Sequence, residues 1–183
     1  MSEQTRFVPI EVRLRDRRRV RLREIRPDDR DEVRQAFDHL SVESRYTRFM
    51  SFVKELSPQM LGRIVSRPAE RELALVAEVD APDGVDIVAG ARYYIQAGGD
   101  SCEFAVTVVD GWQGAGLASV LMKELIRFAR GRGLQRMEGF VLAQNNSMLN
   151  LARRLGFTVK QDPNDATVKI VRLDLTTLAT PKI

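Results

Sequence analysis

The chain opens with alternating apolar and charged residues, a pattern that predicts a β-hairpin. The alternation runs over residues 12–15 and again over residues 20–25, on either side of a charged turn. A period of two places one face of each strand in water. We therefore interpret the arginines of this region as solvated charges and expect no nucleic acid as a partner, because no aromatic residues that could stack on bases are interleaved with them. They are Arg13, Arg15, Arg17, Arg18, Arg19, Arg21, Arg23 and Arg26.

Helical spacing of apolar residues follows the hairpin. It extends over residues 28–40 and predicts a helix with Asp28 or Asp29 as its N-cap. Ser41 is predicted to cap a second helix, and the pair Ser57-Pro58 to begin a third, because proline is favoured at the first helical position. The first part of the chain is therefore expected to be a hairpin followed by three short helices.

The rest of the chain is predicted to combine a sheet with two helices. Short turns separate the first three strands, which favours an antiparallel meander. A helix over residues 117–130 joins the third strand to the fourth, so these two should be parallel with a right-handed crossover. A second helix over residues 148–155 begins at residues 145–147. The predicted strands cover residues 73–79, 87–95, 102–109, 137–142, 159–161 and 168–175, and residues 67–72 are predicted to form a loop.

The composition limits the domain count, the compartment and the class of protein, but it identifies no reaction. The 183 residues suit a single domain, with loose ends at residues 1–10 and 177–183. No apolar run is long enough to span a membrane, and residues 1–16 lack the apolar core of a secretory signal. The only cysteine, Cys102, cannot form an internal disulfide, which favours a reducing cytoplasm as the compartment. The net charge of +4 permits acidic partners without identifying one.

One stretch carries a chemical signal: a strand that runs into a glycine-spaced turn and then a helix. The strand ends at Val109, and the turn contains Gly114 and Gly116. Helix N-terminal amides lack intrahelical partners and attract negative charge, and small residues let a phosphate approach the backbone. These features predict a seat for a phosphate or pyrophosphate at residues 113–118. The turn is not a Walker A loop, since no Gly-Lys-Ser/Thr follows, and Ser119 stands where a dinucleotide-binding fingerprint needs a third glycine.

The segment Gln113-Gly-Ala-Gly116-Leu-Ala118 resembles the Gln/Arg-x-x-Gly-x-Gly/Ala motif of the Gcn5-related N-acetyltransferases. Asn145 and Leu155-Gly-Phe157 resemble the second motif of that family. Within the family, the chain is most similar to the acetyltransferase domain of the Pat-type protein lysine acetyltransferases. That similarity rests on Leu40-Ser-x-Glu-Ser-Arg-Tyr-x-Arg-Phe49, Glu103-Phe-Ala-Val106, Asp110-x-Trp-Gln-Gly114 and Leu142-Ala-x-Asn145-x-x-Met148. The resemblance implies a three-layer α+β fold, in which a splayed, mixed, mainly antiparallel sheet has helices on both faces.

The resemblance also implies acetyl-CoA as the cofactor, lying between the strands that end at Val109 and Leu142. Backbone groups of the first strand are expected to bind the pantetheine arm, amides of the turn the pyrophosphate, and Asn145 the end of the pantetheine. No metal is expected. The implied cofactor-binding residues are Val106, Thr107, Val108, Gln113, Gly114, Ala115, Gly116, Leu117, Ala118, Ser119 and Asn145.

The implied chemistry is attack of a neutral amine on a thioester. A lysine with a solution pKa of about 10.4 needs a base or a water relay to arrive neutral, and Glu103 is predicted to be that base. Many family members carry a tyrosine as general acid where this chain has Ala152, so water or another tyrosine is expected to replace it. The candidate tyrosines are Tyr46, Tyr93 and Tyr94. Cys102 and His39, the only histidine, have no identifiable catalytic partner and are interpreted as structural or surface residues.

These predictions combine into a cytoplasmic, acetyl-CoA-dependent N-acetyltransferase whose acceptor is a protein lysine. The alternative with the same chemistry is an enzyme that acetylates a small-molecule amine. A third hypothesis is a catalytically silent protein that senses acetyl-CoA or serves as an interaction module. Intact Gln113, Gly116 and Asn145 fit a binding protein as well as an enzyme, whereas Glu103 is expected only of the enzyme.

Overall fold

The computed structural model describes residues 6–66 and 70–177, which form an open, mixed and mainly antiparallel sheet of eight strands with five α-helices. The strands are β1 (Ile10–Arg13), β2 (Arg19–Glu24), β3 (Glu72–Ala81), β4 (Gly84–Ile95), β5 (Ser101–Val108), β6 (Arg136–Leu142), β7 (Thr158–Gln161) and β8 (Val168–Asp174). The helices are α1 (Arg30–Asp38), α2 (Val42–Phe49), α3 (Pro58–Val65), α4 (Leu117–Gly131) and α5 (Asn146–Arg154). The strand order is β1-β2-β3-β4-β5-β6-β8-β7, and this sheet confirms the predicted fold class.

Hydrogen-bond registers give the directions of the strands. The pairs β1–β2, β2–β3, β6–β8 and β7–β8 are antiparallel. β4 and β5 also run in opposite directions, because the Val109 N–H donates to the Val88 carbonyl and the Gln96 N–H donates to the Ser101 carbonyl. β5 and β6 are parallel, so the predicted strand–helix–strand unit around α4 is confirmed.

The chain divides into two compact units, of which the first contains Met1–Arg92 and Ala105–Met122. Its core lies where α3 packs on β3 and β4. Residues 73–78 of β3 are buried at six consecutive positions, as expected of a strand that is covered on both faces. The core residues are Ile25, Leu61, Val65, Ala74, Val76 and Ile87.

The second unit contains Tyr93–Phe104 and Lys123–Ile183. Its aromatic contact joins Phe104 of β5 to Phe157, with ring centroids 5.5 Å apart in an edge-on arrangement. A Cβ at position 139 would lie 2.5 Å from the Phe104 ring. Gly139 therefore gives β6 the space that this ring fills, which explains a glycine in the middle of a strand.

Arg23 on β2 is buried between two carboxylates, so the prediction that the hairpin arginines are solvated is wrong for this residue. Its Nε donates to Glu78 at 2.6 Å, and its two terminal nitrogens donate to Asp29 at 2.8 Å each. Burial lowers the pKa of Arg23, but the bonds to Asp29 and Glu78 outweigh burial and leave the pKa above its ordinary value. The alternating pattern does not reveal this site, because the two partners lie 6 and 55 residues away in sequence.

Two of the predicted helix caps form as expected and one differs. Ser41 and Ser57 accept hydrogen bonds from backbone N–H groups in the first turns of α2 and α3. Asp29 stands at the N-cap position of α1 but makes no capping bond with its side chain. Its carboxylate instead accepts hydrogen bonds from Arg23 and from the Arg26 N–H. The buried ion pair therefore takes precedence over the cap.

The N-terminal segment is held from Phe7 onward, contrary to the prediction of a loose end over residues 1–10. The Phe7 side chain is buried, and its N–H donates to Glu24 Oε1 at 2.8 Å. Residues 1–5 and 178–183 of the predicted loose ends, and residues 67–69 of the predicted loop, lie outside the described residues. Within residues 6–66 and 70–177, no helix is long and apolar enough to cross a membrane.

Replacing Arg23 by methionine is expected to lower the free energy of unfolding by about 3–5 kcal/mol at neutral pH, because the buried carboxylates of Asp29 and Glu78 then lose their cation. Urea unfolding measures this change. Arg21→Met is the matched control, since Arg21 lies 3.7 Å from Glu78 but its side chain is 49% exposed. Its loss should cost less than about 1 kcal/mol. Equal stability of the two variants would contradict a stabilising role for the buried pair.

Candidate active site

The turn between β5 and α4 presents a row of backbone N–H groups. In the described part of the chain, the N–H groups of residues 114–119 have no hydrogen-bond acceptor. Gly114 and Gly116 have φ angles of 78° and 94°, which favour glycine and occur in the anion-binding backbone concavities called nests. α4 begins at Leu117, so its positive N-terminal end lies at the same place. This set of donors fits a phosphate group.

Arg15, at the tip of the hairpin, lies against this turn. Its backbone N–H donates to the Ala115 carbonyl at 3.2 Å, and its Nη2 lies 3.5 Å from the Gly114 carbonyl oxygen. A Cβ at position 116 would lie 3.0 Å from Arg15 Nε, so a side chain there would crowd the guanidinium, and the φ angle of Gly116 itself favours glycine. The guanidinium therefore adds a full positive charge beside the unbonded N–H groups. No local signal in the sequence marks Arg15 as part of this site, because its contact with the turn spans 99 residues.

Arg18 braces the beginning of the same turn. Its Nη1 donates to the Gly111 carbonyl at 3.0 Å, and its Cζ lies 3.9 Å from the centroid of the Trp112 ring, a cation–π distance. Asp16 holds the guanidinium with a contact of 2.6 Å, and its bond to Arg18 lowers the pKa of the Asp16 carboxyl. The tip of the hairpin is therefore docked on the turn.

Gln113 and Asp110 tie the turn to β5 and to α2. Gln113 Nε2 donates to the Val108 carbonyl at 3.1 Å and to Ser44 Oγ at 3.3 Å. The Asp110 carboxylate accepts from the Ser41 N–H at 3.2 Å. Burial raises the pKa of Asp110, but hydrogen bonds from Ser41 and Ser44 outweigh burial and leave the pKa lowered. One of the predicted pantetheine-binding groups, the Val108 carbonyl, is thus already bonded within the protein.

Glu103 is half-buried on β5 and is hydrogen-bonded to Tyr94 on β4. The Tyr94 hydroxyl donates to Glu103 Oε2 at 2.7 Å. This bond, followed by burial, raises the pKa of Tyr94 to about 12. Glu138, the parallel neighbour of Glu103 on β6, is paired with Arg172 at 3.0 Å. The two neighbouring carboxylates therefore differ in their partners: one has a hydroxyl, and the other has a cation.

The three tyrosines considered as replacements for the family's acid have different surroundings. Tyr93 is fully buried, and burial raises its pKa to about 12. Tyr46 packs on a neighbouring aromatic ring at 4.8 Å. Tyr94 contacts Glu103, but a phenol that donates to a carboxylate holds its proton more tightly, so this geometry suits orientation of Glu103 better than proton donation. Ala152, at the position of the family's tyrosine, is fully buried in α5.

Asn145 caps a helix, Cys102 is buried and His39 lies on the surface. Asn145 Oδ1 accepts from the Met148 N–H at 3.1 Å and caps α5, so its carbonyl oxygen is engaged. Cys102 is buried, and burial raises its pKa to about 12, which keeps it a thiol at neutral pH. His39 is exposed at the C-terminal end of α1. Among the residues that the structure describes, no group of three or more His, Cys, Asp or Glu side chains could hold a metal ion.

The predicted site residues are distributed over both compact units. Glu103 and Asn145 belong to the second unit, and Glu103 is grouped there with Tyr94. In the first unit, the turn is grouped with Arg15. The predicted residues of the first unit are Val106, Thr107, Val108, Gln113, Gly114, Ala115, Gly116, Leu117, Ala118 and Ser119.

Known proteins are similar to this chain in sequence and in architecture. The profile of the acetyltransferase (GNAT) family matches residues 25–157. The chain is 38% identical over 162 residues to Acetyltransferase PA5475 of Pseudomonas aeruginosa, covering 88% of this chain and 87% of that protein. It is 31% identical over 162 residues to Acetyltransferase Pat of Mycolicibacterium smegmatis, covering 82% of this chain but 44% of that longer protein. The crystal structure of the GNAT domain of S. lividans PAT has a TM-score of 0.82 and 30% identity, over 91% of this chain and 96% of that domain.

Replacing Glu103 by glutamine is expected to move the pKa of Tyr94 from about 12 toward the ordinary tyrosine value of about 10, because a neutral amide holds the phenol proton less tightly than a carboxylate does. A pH titration of tyrosinate absorbance measures the change. Tyr94→Phe is the control, since it removes this transition and so identifies it. An unchanged transition in Glu103→Gln would contradict the hydrogen bond between the two side chains.

Proposed function

This chain belongs to the acetyltransferase (GNAT) family, and we propose that it transfers the acetyl group of acetyl-CoA to the ε-amine of a protein lysine. The observation that carries the proposal is the row of unbonded N–H groups at residues 114–119, with Arg15 beside it. A pyrophosphate supplies the charged acceptors that such donors lack.

In this proposal, different residues bind the pantetheine arm and the pyrophosphate of acetyl-CoA. Backbone groups of Val106 and Thr107 bind the pantetheine arm by continuing the ladder of β5, and Asn145 contacts the end of the pantetheine. Gln113 holds the Val108 carbonyl and so fixes the path of the chain into the turn. The N–H groups that hold the pyrophosphate are those of Gly114, Ala115, Gly116, Leu117, Ala118 and Ser119.

Glu103 acts as the general base in this proposal. Bound acetyl-CoA supplies the thioester, at whose carbonyl carbon a C–N bond to the amine forms and the C–S bond breaks. Tyr94 bonds to Glu103 Oε2, so we assign Oε1 as the oxygen that takes the proton of the incoming ammonium, directly or through a water. Tyr94 keeps its own proton and orients the carboxylate. A water takes the second proton that the nitrogen loses after the C–N bond forms and supplies one to the departing sulfur, because Ala152 offers no acid there.

The resemblance to Pat-type protein lysine acetyltransferases supports a protein lysine as the acceptor, and two of the similar proteins are named Pat or PAT. α2, which bears part of the Pat-type motif, is tied to the turn through Ser41 and Ser44. A small amine is the second candidate acceptor. It is kept because the relative with 38% identity is named only as an acetyltransferase.

Incubation of the full chain with acetyl-CoA and an extract of cells that lack it tests the acceptor. Mass spectrometry locates acetyl-lysine in the proteins, and thiol release measures turnover of a panel of small amines in parallel. We expect lysine acetylation that depends on Glu103. Turnover confined to small amines would replace the protein lysine by the second candidate. Failure to bind acetyl-CoA would overturn the proposal as a whole.

Glu103→Gln is expected to reduce kcat by roughly 10²- to 10⁴-fold, the usual contribution of a positioned base, with little change in KM for acetyl-CoA. Steady-state thiol release at saturating acceptor measures both constants. Glu138→Gln is the matched control, because this neighbouring carboxylate is already paired with Arg172 and should affect kcat far less. A Glu103→Gln enzyme with the wild-type kcat would assign the base to another group.

Arg15→Gln is expected to weaken binding of coenzyme A by roughly tenfold, since it removes a charged group beside the pyrophosphate seat. It should leave binding of pantetheine, which lacks the pyrophosphate, unchanged. Isothermal titration calorimetry measures both affinities. Arg13→Gln, an exposed arginine of the same hairpin, is the control and should bind coenzyme A normally. An equal loss for pantetheine would indicate a distorted turn rather than a lost phosphate contact.

A further inference from the structure

A cavity of about 120 Å³ lies within the first unit, lined by α1, α2 and α3 on one side and by β3, β4 and β5 on the other. Its walls are largely aliphatic and aromatic, with Phe37 and Leu40 among them. The polar side chains of the lining are Arg48, Arg92 and Thr107. An apolar cavity with two guanidinium groups and no carboxylate in its lining differs from an ordinary packing defect, whose walls are apolar throughout.

Arg92 of β4 has partners within the protein. Its Nη2 donates to the Ile64 carbonyl, and Glu72 attracts it electrostatically. Burial nevertheless lowers the pKa of Arg92. One of the two cations in the cavity is therefore partly compensated.

Arg48 of α2 is poorly compensated. The salt bridges of the described residues do not include it, and its Cζ lies 5.2 Å from the Phe49 ring. The Arg48 residue is half-buried, and apolar neighbours surround its guanidinium. Burial, followed by the like charge of Arg92, lowers the pKa of Arg48 to about 10. This cation therefore lies in surroundings that favour arrival of a negative charge.

Packing alone accounts poorly for this arrangement. A long arginine side chain on a short helix normally buries its stem and keeps its head in water. Two like charges at an apolar cavity destabilise the folded state, and functional sites are where proteins retain such destabilising groups. A carboxylate satisfies a guanidinium with two parallel hydrogen bonds, and an apolar body satisfies the remaining walls.

We propose that this cavity binds a small organic acid, with its carboxylate on Arg48 in the field of Arg92 and an apolar body of about four carbons in the cavity. The inference does not depend on the proposed function. The ligand is either an amine-bearing acid that serves as acceptor or an acid that binds without reacting, and both use the same contacts.

Pentanoate is the probe, with pentanamide and pentylamine as probes of the same length that lack or invert its charge. Titration calorimetry on the full chain is expected to show pentanoate binding at least about tenfold more tightly than pentanamide. The preference should vanish in Arg48→Met and return in part in Arg48→Lys. It should persist in Arg63→Gln, the control for an exposed arginine of α3 outside the cavity. Failure of pentanoate to bind, or a preference that survives Arg48→Met, overturns the proposal.

Stability of the ligand-free protein is a second readout. If Arg48 is held for a ligand, Arg48→Met removes an uncompensated charge and leaves the unfolding midpoint unchanged or raised. A clearly lowered midpoint would assign Arg48 a structural role and overturn the proposal.

Leucine with acetyl-CoA distinguishes the two sources of the acid. Thiol release that depends on Arg48 identifies an acceptor subsite. Binding of leucine or pentanoate without thiol release identifies a separate site for a non-reacting acid. Either result supports the carboxylate site.

Discussion

The glycine turn after β5 is held in place by hydrogen bonds to carbonyl groups, and in the described part of the chain the N–H groups of residues 114–119 have no acceptor. Arg15 donates from its backbone, Arg18 from its guanidinium, and Gln113 from its side-chain amide. The carbonyls that receive these bonds are those of Val108, Gly111 and Ala115. Each contact uses a carbonyl of the turn or of the end of β5, and among the described residues none of them uses the N–H groups of residues 114–119. These hydrogen bonds fix the path of the turn, and the N–H groups of residues 114–119 stay available to an anion.

Local interactions made the elements of this fold predictable. The Ser41 and Ser57 caps, the apolar run of β3 and the glycine turn all depend on neighbours within a few residues, and the sequence displays these directly. Two of the failures concern arginines. Arg23 and Arg15 contact partners that lie 55 and 99 residues away in sequence. The long arginine side chain places its charge far from the Cα, and the backbone pattern predicts only the position of the Cα.

The candidate site was likewise predictable where its residues are neighbours in sequence, and not where the contacts are long-range. A motif is enough to single out the turn and Glu103, because each lies in a contiguous stretch of the chain. The partner of Glu103 requires the register of two strands. Tyr94 and Glu103 each lie two residues inward from the Gln96–Ser101 hydrogen bond, so they face each other across β4 and β5. Without that register, Tyr94 was one of three tyrosines with equal claims.

This cross-strand pair places the carboxylate and the hydroxyl that orients it on a single β-hairpin, residues 94–103. The distance between the Tyr94 hydroxyl and the Glu103 carboxylate is set by the spacing of two hydrogen-bonded strands, which varies little. It does not depend on a distant loop. In the proposed mechanism the carboxylate is thus aligned before the amine arrives, a condition that favours rapid chemistry. Under the proposed function, substitutions in loops and helices outside residues 94–103 can change the acceptor without disturbing this pair.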